Sequence, residues 1–253
     1  IQWIDLVVCN LYPFSEIISK VECDLSLALE NVDIGGPTII RSAAKNVGWV
    51  CVAVDPEDYS TITNGLRSGK ISFETRKKLS TKAFGHTAKY DTIIHNYLKD
   101  EKLSDDFSIT FKKHSEMRYG ENPHQSAASY RIPGNDEPNI LNATVHQGKQ
   151  LSYNNIMDAD GALACVREFG GPACVVVKHS NPCGVAVGGN LLDVYTRAFS
   201  ADPISAFGGI IAFNRTCTKE VAKAITSVFV EIVLAPGFEP DALEVFKRKK
   251  NLR

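Results

Sequence analysis

The run Ala173-Cys174-Val175-Val176-Val177 constrains the fold more than any other stretch. Five successive apolar residues, three of them β-branched, offer no polar face to water and read as a buried strand. Lys178-His179 follow at once. Beyond them, Asn181-Pro182-Cys183-Gly184 has the composition of a sharp turn, and a turn is expected over 181–184. Around this strand the pattern predicts helices over 162–169, 218–225 and 240–247, and strands over 209–213 and 230–234.

The earlier part of the chain has the same grammar. Ile1 to Val8 reads as a strand already under way, and 47–54 as a second β-rich run. Asp55-Pro56-Glu57-Asp58 starts a helix, with Pro at the first position and acids in the first turn. Gly35-Gly36-Pro37 opens a helix that runs to 46, and helical spacing over 72–98 predicts one long amphipathic helix. The charged, turn-rich stretch 99–113 carries the expected domain boundary. Strand–helix alternation with short connections means α/β layers.

Charge and composition exclude several classes. With 28 Lys and Arg against 29 Asp and Glu, the net charge of −1 lacks the basic footprint of a nucleic-acid binder. A hydrophobic fraction of 44% supplies enough apolar mass for a core. No apolar run approaches the roughly 18–20 residues that span a bilayer. The seven cysteines are scattered without a C-x-x-C pair, which suits reduced thiols in a reducing cytoplasm. Nothing near the first residue reads as a secretory leader. The opening in mid-strand and the polar ending at 246–253 suggest a fragment of a longer protein.

Three groups of residues could carry chemistry. Lys178 and His179 end a buried strand, where α/β sheets place their ligands. An ammonium there can stabilise a developing oxyanion, and an imidazole can move a proton near neutral pH. The alternative is a loop lysine and a satisfied histidine. Cys183 beside His179 admits a nucleophile reading and hence a cysteine-dependent amidohydrolase; packing of the turn is the plainer role. Pro182-Cys183 also resembles part of the zinc deaminase signature, but the second cysteine and the glutamate of H-x-E are both missing.

The second group is Met117-Arg118-Tyr119-Gly120-Glu121-Asn122-Pro123-His124-Gln125. A guanidinium fork beside a phenol can hold a phosphate, or Arg118 can be a surface residue on a loop. The third joins Cys9-Asn10-Leu11-Tyr12-Pro13-Phe14 to Asp33-Ile34-Gly35-Gly36-Pro37 and Lys45. Free amides at that helix entrance suit an anion or a polar substrate edge. Asp33 as an ordinary cap, with Arg41 and Lys45 on a solvated face, explains the same residues. His86, His95, His114 and His146 read as structural or solvated.

Together these segments resemble one family: the bacterial bifunctional purine-biosynthesis enzymes that combine aminoimidazole-carboxamide ribonucleotide formyltransferase with IMP cyclohydrolase. The matching runs are CNLYPF, VDIGGPTIIRSAAKN, FGHTAKYDTII, MRYGENPHQ, LSYNNIMDADGAL, VVVKHSNPCGVA, DPISAFGGIIAFN and FVEIVLAP, in family order across the chain. The resemblance implies an α/β protein in two parts. Residues 1–105 correspond to the later part of a methylglyoxal-synthase-like cyclohydrolase domain. Residues 106–253 correspond to the first part of a transformylase domain built from cytidine-deaminase-like units without zinc. The family's N-terminal phosphate loop with a further lysine, and the second half of its transformylase domain, fall outside this sequence.

The resemblance also implies roles. His179 would transfer the proton as the 5-amino group attacks the formyl carbon of 10-formyltetrahydrofolate, and Lys178 would stabilise the developing charge. Arg118 and Tyr119 match residues holding the nucleotide, chiefly its phosphate. Asn155 and Gly208 match further nucleotide contacts, and Glu231 stands where the family has an acid contacting the folate. Lys45, Tyr12 and Asp33 match residues around the ring-closing carboxamide; Cys9, Asn10 and Ile34 match nucleotide contacts. The implied partners are small-molecule nucleotide and folate substrates and a second copy in a homodimer, with no metal, nucleic acid or membrane. A second reading takes these 253 residues alone as a non-catalytic nucleotide-binding or dimerisation module.

Overall fold

The structure, a computed structural model, describes residues 3–101 and 103–253. The chain divides into two compact units, Ile1–Thr110 and Phe111–Arg253.

In the first unit, β1 (Leu6–Val8) pairs in parallel with β2 (Cys51–Ala53), Leu6 opposite Cys51 and Val8 opposite Ala53. Parallel neighbours need a long crossover. Here it holds α1 (Phe14–Ile18), α2 (Leu25–Glu30) and α3 (Gly35–Lys45). Both strands are shorter than expected. Trp3 and Ile4 lie outside the strand, Asp5 only lends its carbonyl to the Cys51 amide at 2.8 Å, and Ile1 and Gln2 lie outside the described residues. The start at Asp55 forms as read: its carboxylate accepts from the Glu57 amide and caps a single 3₁₀ turn, Pro56–Asp58, before α4 (Tyr59–Arg67).

The long helix is α5 (Phe73–Leu98), capped by the Ser72 hydroxyl, which accepts from the Thr75 amide. Such a cap stabilises a helix start by about 1 kcal/mol. Its buried residues Leu79, Ala83, Thr87 and Tyr90 recur at helical spacing and serve three separate clusters. Leu79 packs with Cys51, Ala53 and Ile62; Ala83 with Ile40, Ala43, Ala44, Val52 and Val54; Tyr90 with Phe14 and Ala28. One helix therefore supports the core of the whole unit.

The second unit opens with an antiparallel pair, β3 (Lys112–Glu116) and β4 (Ala128–Arg131), which flanks the Arg118 segment. Next come α6 (Tyr153–Arg167), β5 (Ala173–Lys178), β6 (Asn181–Val187), α7 (Leu191–Ala201), α8 (Pro203–Ala206) and β7 (Ile210–Phe213). The chain then runs through α9 (Lys219–Thr226), β8 (Ile232–Leu234) and α10 (Pro240–Phe246). The four-stranded sheet has the order β6-β5-β7-β8, antiparallel except for the parallel β7–β8 pair.

Strand periodicity sorts β5 onto two cores. Cys174 and Val176 face Val194, Val221, Phe213 and Phe246 on the side of α7, α9 and α10. Ala173, Val175 and Val177 face Ala159, Ala162 and Val166 of α6. The continuous apolar run thus has one cause: both faces of the strand are covered.

Two expectations need correction. The helix expected at 162–169 begins nine residues earlier, at Tyr153. Ser152 and Asn155 form a reciprocal capping box there, each side chain accepting from the other's backbone amide. The turn expected over 181–184 is strand β6 instead. Pro182 is accommodated because β6 is an edge strand. Gly184 is there for close approach, since a Cβ would sit 1.9 Å from the Ala198 carbonyl oxygen of α7. The reversal is made by His179 and Ser180 alone, between the paired Lys178 and Asn181.

Candidate functional site

Topology gathers residues far apart in sequence at one end of the β5-β7-β8 sheet. β5 ends at Lys178, while antiparallel β7 begins there, with Val177 opposite Ile210. β8 is parallel to β7, so it begins at the same end, just after Glu231. The half-buried Lys178 donates from Nζ to the Gly208 carbonyl at 2.8 Å. An ammonium has three donors, so further protons remain for a ligand. Gly208 has φ of +67°, in the left-handed region, and a Cβ there would meet Phe229 Cε1 at 3.0 Å and Lys178 Nζ at 3.2 Å. Its amide donates to the Phe229 carbonyl at 2.8 Å, and the Glu231 amide to the Gly209 carbonyl at 3.0 Å.

Asn155 and Glu231 meet directly. The buried Asn155 amide donates from Nδ2 to Glu231 Oε2 at 2.8 Å, while its Oδ1 accepts from the Ser152 amide. Arg253 adds a cation 3.8 Å from the same Glu231 oxygen. The side chain expected to touch the nucleotide is therefore engaged at both ends within the protein.

His179 is exposed, with φ of +52°, and Ser180 follows with +60°. Arg118 is exposed as well, its guanidinium 5.8 Å from the centre of the Tyr119 ring. The loop beyond is closed by the Gly120 amide donating to the Gln125 carbonyl at 2.8 Å. Gln150 Nε2 donates to the Glu116 carbonyl at 2.7 Å, tying the approach to Arg118 to the chain just before the α6 cap. Arg118 and Tyr119 take no part in the Lys178–Gly208 or Asn155–Glu231 hydrogen bonds.

Sequence reading missed two features here. Phe207 and Phe229, both exposed, meet at a tilt with ring centres 5.3 Å apart, and Phe229 is the ring a Cβ on Gly208 would touch. Asp158 of α6 binds the turn that carries His179. The DPISAFGG and SVFVE segments held the aromatic signal, though only the sheet brings the rings together. Cys183, weighed as a nucleophile, lies in β6 and donates from Sγ to the Val176 carbonyl at 3.5 Å. Burial pushes its thiol up, away from the reactive thiolate.

In the first unit, the Asp33 carboxylate accepts from the Gly36 amide at 2.7 Å and from the Tyr12 amide at 3.3 Å. It thus caps α3 and ties the Tyr12 segment to the helix entrance. Cys9 lies close by; burial, then the Asp33 charge, hold its thiol up. Asn10 accepts the Tyr59 hydroxyl at 3.2 Å, and Ile34 is exposed at the entrance. Lys45 follows Ala43 and Ala44, which belong to the same cluster as Cys9 and Leu11. It closes α3 ten residues beyond Gly35, about 15 Å along the axis at 1.5 Å per residue. His86 and His95 leave Nε2 buried without a partner, and burial lowers the His86 pKa. Among the described residues, no group of three or more His, Cys, Asp or Glu is placed to hold a metal ion. Nor, among them, is any helix long and apolar enough to cross a membrane.

The fold and this sheet end define an α/β protein with a cation, an imidazole and an acid–amide pair at converging strand ends. The family model described as AICARFT/IMPCHase bienzyme matches residues 43–253, and the chain belongs to that family. The Bifunctional purine biosynthesis protein PurH of Bacillus cytotoxicus is 52% identical over 100% of this chain and 50% of its own length. The proteins of the same name from Bacillus cereus and Bacillus mycoides are also 52% identical with the same coverage. The chain thus spans about half the length of the relatives it matches. Among solved structures, the crystal structure of ForH is 34% identical over 36% of this chain and 48% of its own, with a TM-score of 0.33.

Proposed function

We propose that this chain is part of a bifunctional enzyme of de novo purine biosynthesis. The enzyme transfers a formyl group from 10-formyltetrahydrofolate to the 5-amino group of aminoimidazole-carboxamide ribonucleotide, then closes the ring with loss of water to give IMP. What carries this reading is identity of 52% along the whole chain to relatives named for a bifunctional purine-biosynthetic role. That match also disfavours the reading as a non-catalytic module.

In this reading residues 106–253 are the first part of a cytidine-deaminase-like transformylase domain. His179 takes the proton from the attacking amine, and the Lys178 ammonium stabilises the oxyanion on the formyl carbon. Arg118 and Tyr119 grip the phosphate, with Asn155 and Gly208 as further nucleotide contacts. The exposed, tilted Phe207–Phe229 pair beside Gly208 offers aromatic surface to a flat heterocycle, and Glu231 offers a carboxylate to the amide-rich edge of a pterin. Residues 1–105 are the later part of a methylglyoxal-synthase-like cyclohydrolase domain. There Tyr12, Asp33 and Lys45 act on the carboxamide, and Cys9, Asn10 and Ile34 contact the nucleotide. The reading places the enzyme in the cytoplasm as a homodimer and assigns no metal.

The test uses the full-length protein, purified and supplied with the aminoimidazole nucleotide and 10-formyltetrahydrofolate. Appearance of tetrahydrofolate and IMP together is the expected result. Nucleotide binding by calorimetry without either product would remove the enzymatic reading.

A further inference from the structure

The hairpin between β5 and β6 is closed by two residues, His179 and Ser180, both at positive φ. This is the pattern of a type I′ turn, whose central positions favour Asn and Gly. Histidine and serine there each carry a left-handed strain of order 1 kcal/mol or more. Such strain persists only where the surroundings hold it.

The holding group is Asp158, on the second turn of α6. Its Oδ1 accepts from the Ser180 amide at 2.7 Å and from the Ser180 hydroxyl at 3.4 Å. The Asn181 side chain donates to the His179 carbonyl at 2.9 Å and closes the turn from the other side. The turn also lies against α6 itself, since a Cβ on Gly161 would be 3.6 Å from the Ser180 carbonyl oxygen. Three residues before Asp158, Asn155 binds Glu231 at 2.8 Å. One helix thus reaches both the His179 hairpin and the acid at the start of β8.

We propose that Asp158 is a positioning residue: it holds the strained His179–Ser180 turn and so fixes the backbone from which the imidazole works. This rests on the role assigned to His179 above. Asp158 itself transfers no proton. Its loss lets the turn relax, and misplacement of a reacting group by about 1 Å can cost about 10²-fold in rate.

The test compares wild type with Asp158→Ala, Asp158→Asn, the double variant Asp158→Ala/Ser180→Gly, and His179→Ala, all in the full-length protein. Asp158→Ala is expected to lower kcat for formyl transfer by about 10²-fold with the nucleotide KM unchanged. Asp158→Asn, which keeps an acceptor oxygen, should restore most of the rate. Ser180→Gly should rescue Asp158→Ala in part, because glycine takes positive φ without strain. A merely destabilising loss would lower protection across the second unit, rather than cut kcat at unchanged KM with the exchange confined to the turn. Protection from deuterium exchange in β5 and β7 away from the turn serves as the folding control for the second unit. Deuterium exchange over 178–181 should rise in Asp158→Ala, which reads the hold on the turn independently of activity. If wild type transfers formyl and His179→Ala does not, full kcat in Asp158→Ala overturns this proposal alone. So does a lost rate that neither Asn nor Gly restores. If wild type transfers no formyl, the functional reading fails, and unchanged exchange over 178–181 would overturn the hold as well.

Discussion

The two units place their candidate residues by different means. In the second, antiparallel β5 and β7 and parallel β8 bring Lys178, Gly208 and Glu231 to one sheet end across more than fifty residues of sequence. In the first, the crossover helix α3 carries Asp33 and Ile34 at its entrance and Lys45 at its last residue. A sheet end concentrates strand termini, because each reversal returns the chain to the same edge. A helix separates its two ends by 1.5 Å for every residue. In the first unit the gathering is done by side-chain hydrogen bonds: Asp33 accepts from Gly36 and Tyr12, the Tyr90 hydroxyl accepts from the Asp33 amide, and Asn10 accepts from Tyr59.

The largest effect should expose this contrast directly. His179→Ala in the full-length protein is expected to reduce formyl transfer by about 10²–10⁴-fold and to leave ring closure of supplied formylated nucleotide intact. Lys45→Ala should do the converse. Separate assays of the two half-reactions measure both. Loss of both activities in either variant would mean that the two sets of residues do not serve separate reactions.

High pH gives a second contrast. The core of the second unit buries two thiols, Cys174 and Cys217, together with Tyr195, whereas the first fully buries one thiol, Cys51. Burial pushes Cys217 and Tyr195 up to about 12, and Cys174 upward as well. Unfolded thiols ionise from about 9.0, while the folded ones keep their protons. The unfolded state thus binds fewer protons in this window, so stability falls as pH rises from about 9 toward 12. Peptide-resolved hydrogen exchange at pH 8 and pH 10 should show a steeper loss of protection in β5 and β7 than in β2. Cys174→Ala with Cys217→Ala should flatten that loss; an unchanged slope would assign it to other groups.

Much of this architecture is legible in the residues, and the misses have definite causes. The 173–177 run and the Ser72 start of α5 are local signals that tertiary structure had no reason to override. The first turns of α6 escape a periodicity search because 153–161 (YNNIMDADG) has few apolar residues, although Ser152 and Asn155 already held the cap. Turn composition misleads at 181–184, since an edge strand tolerates Pro182 and the reversal had moved to His179-Ser180, a pair with no turn signature. Asp158 is visible only in three dimensions: its partner is 22 residues away, and its role depends on where β5 ends.

Two glycines offer a smaller test. Gly208→Ala forces a side chain into positive φ against Phe229 and Lys178, and should destabilise the second unit by about 1–3 kcal/mol. Gly85, inside α5, has open space where a methyl would sit, with no atom within 4 Å beyond its own helix backbone and chain neighbours. Gly85→Ala should therefore stabilise the first unit by about 0.5–1 kcal/mol. Denaturant titration measures both, and matching signs would show that backbone conformation is not what separates these positions.

The smallest effects concern the thiols beside each candidate site. Cys183 in β6 donates to the Val176 carbonyl, and burial raises its pKa. Cys9 beside Asp33 is raised by burial and by that carboxylate. A thiol held protonated is a poor nucleophile, so neither should carry covalent chemistry. Cys183→Ser keeps a donor for the Val176 carbonyl and should leave formyl transfer within about twofold, with stability changed by no more than about 1 kcal/mol. Iodoacetamide at pH 8 should label both thiols more slowly than a free cysteine. Rapid labelling of Cys183 together with loss of formyl transfer in Cys183→Ser would restore the nucleophile. Rapid labelling of Cys9 alone would mean that its neighbourhood opens while the sheet around Cys183 stays closed, since Cys9 borders a two-stranded sheet and Cys183 lies in a four-stranded one.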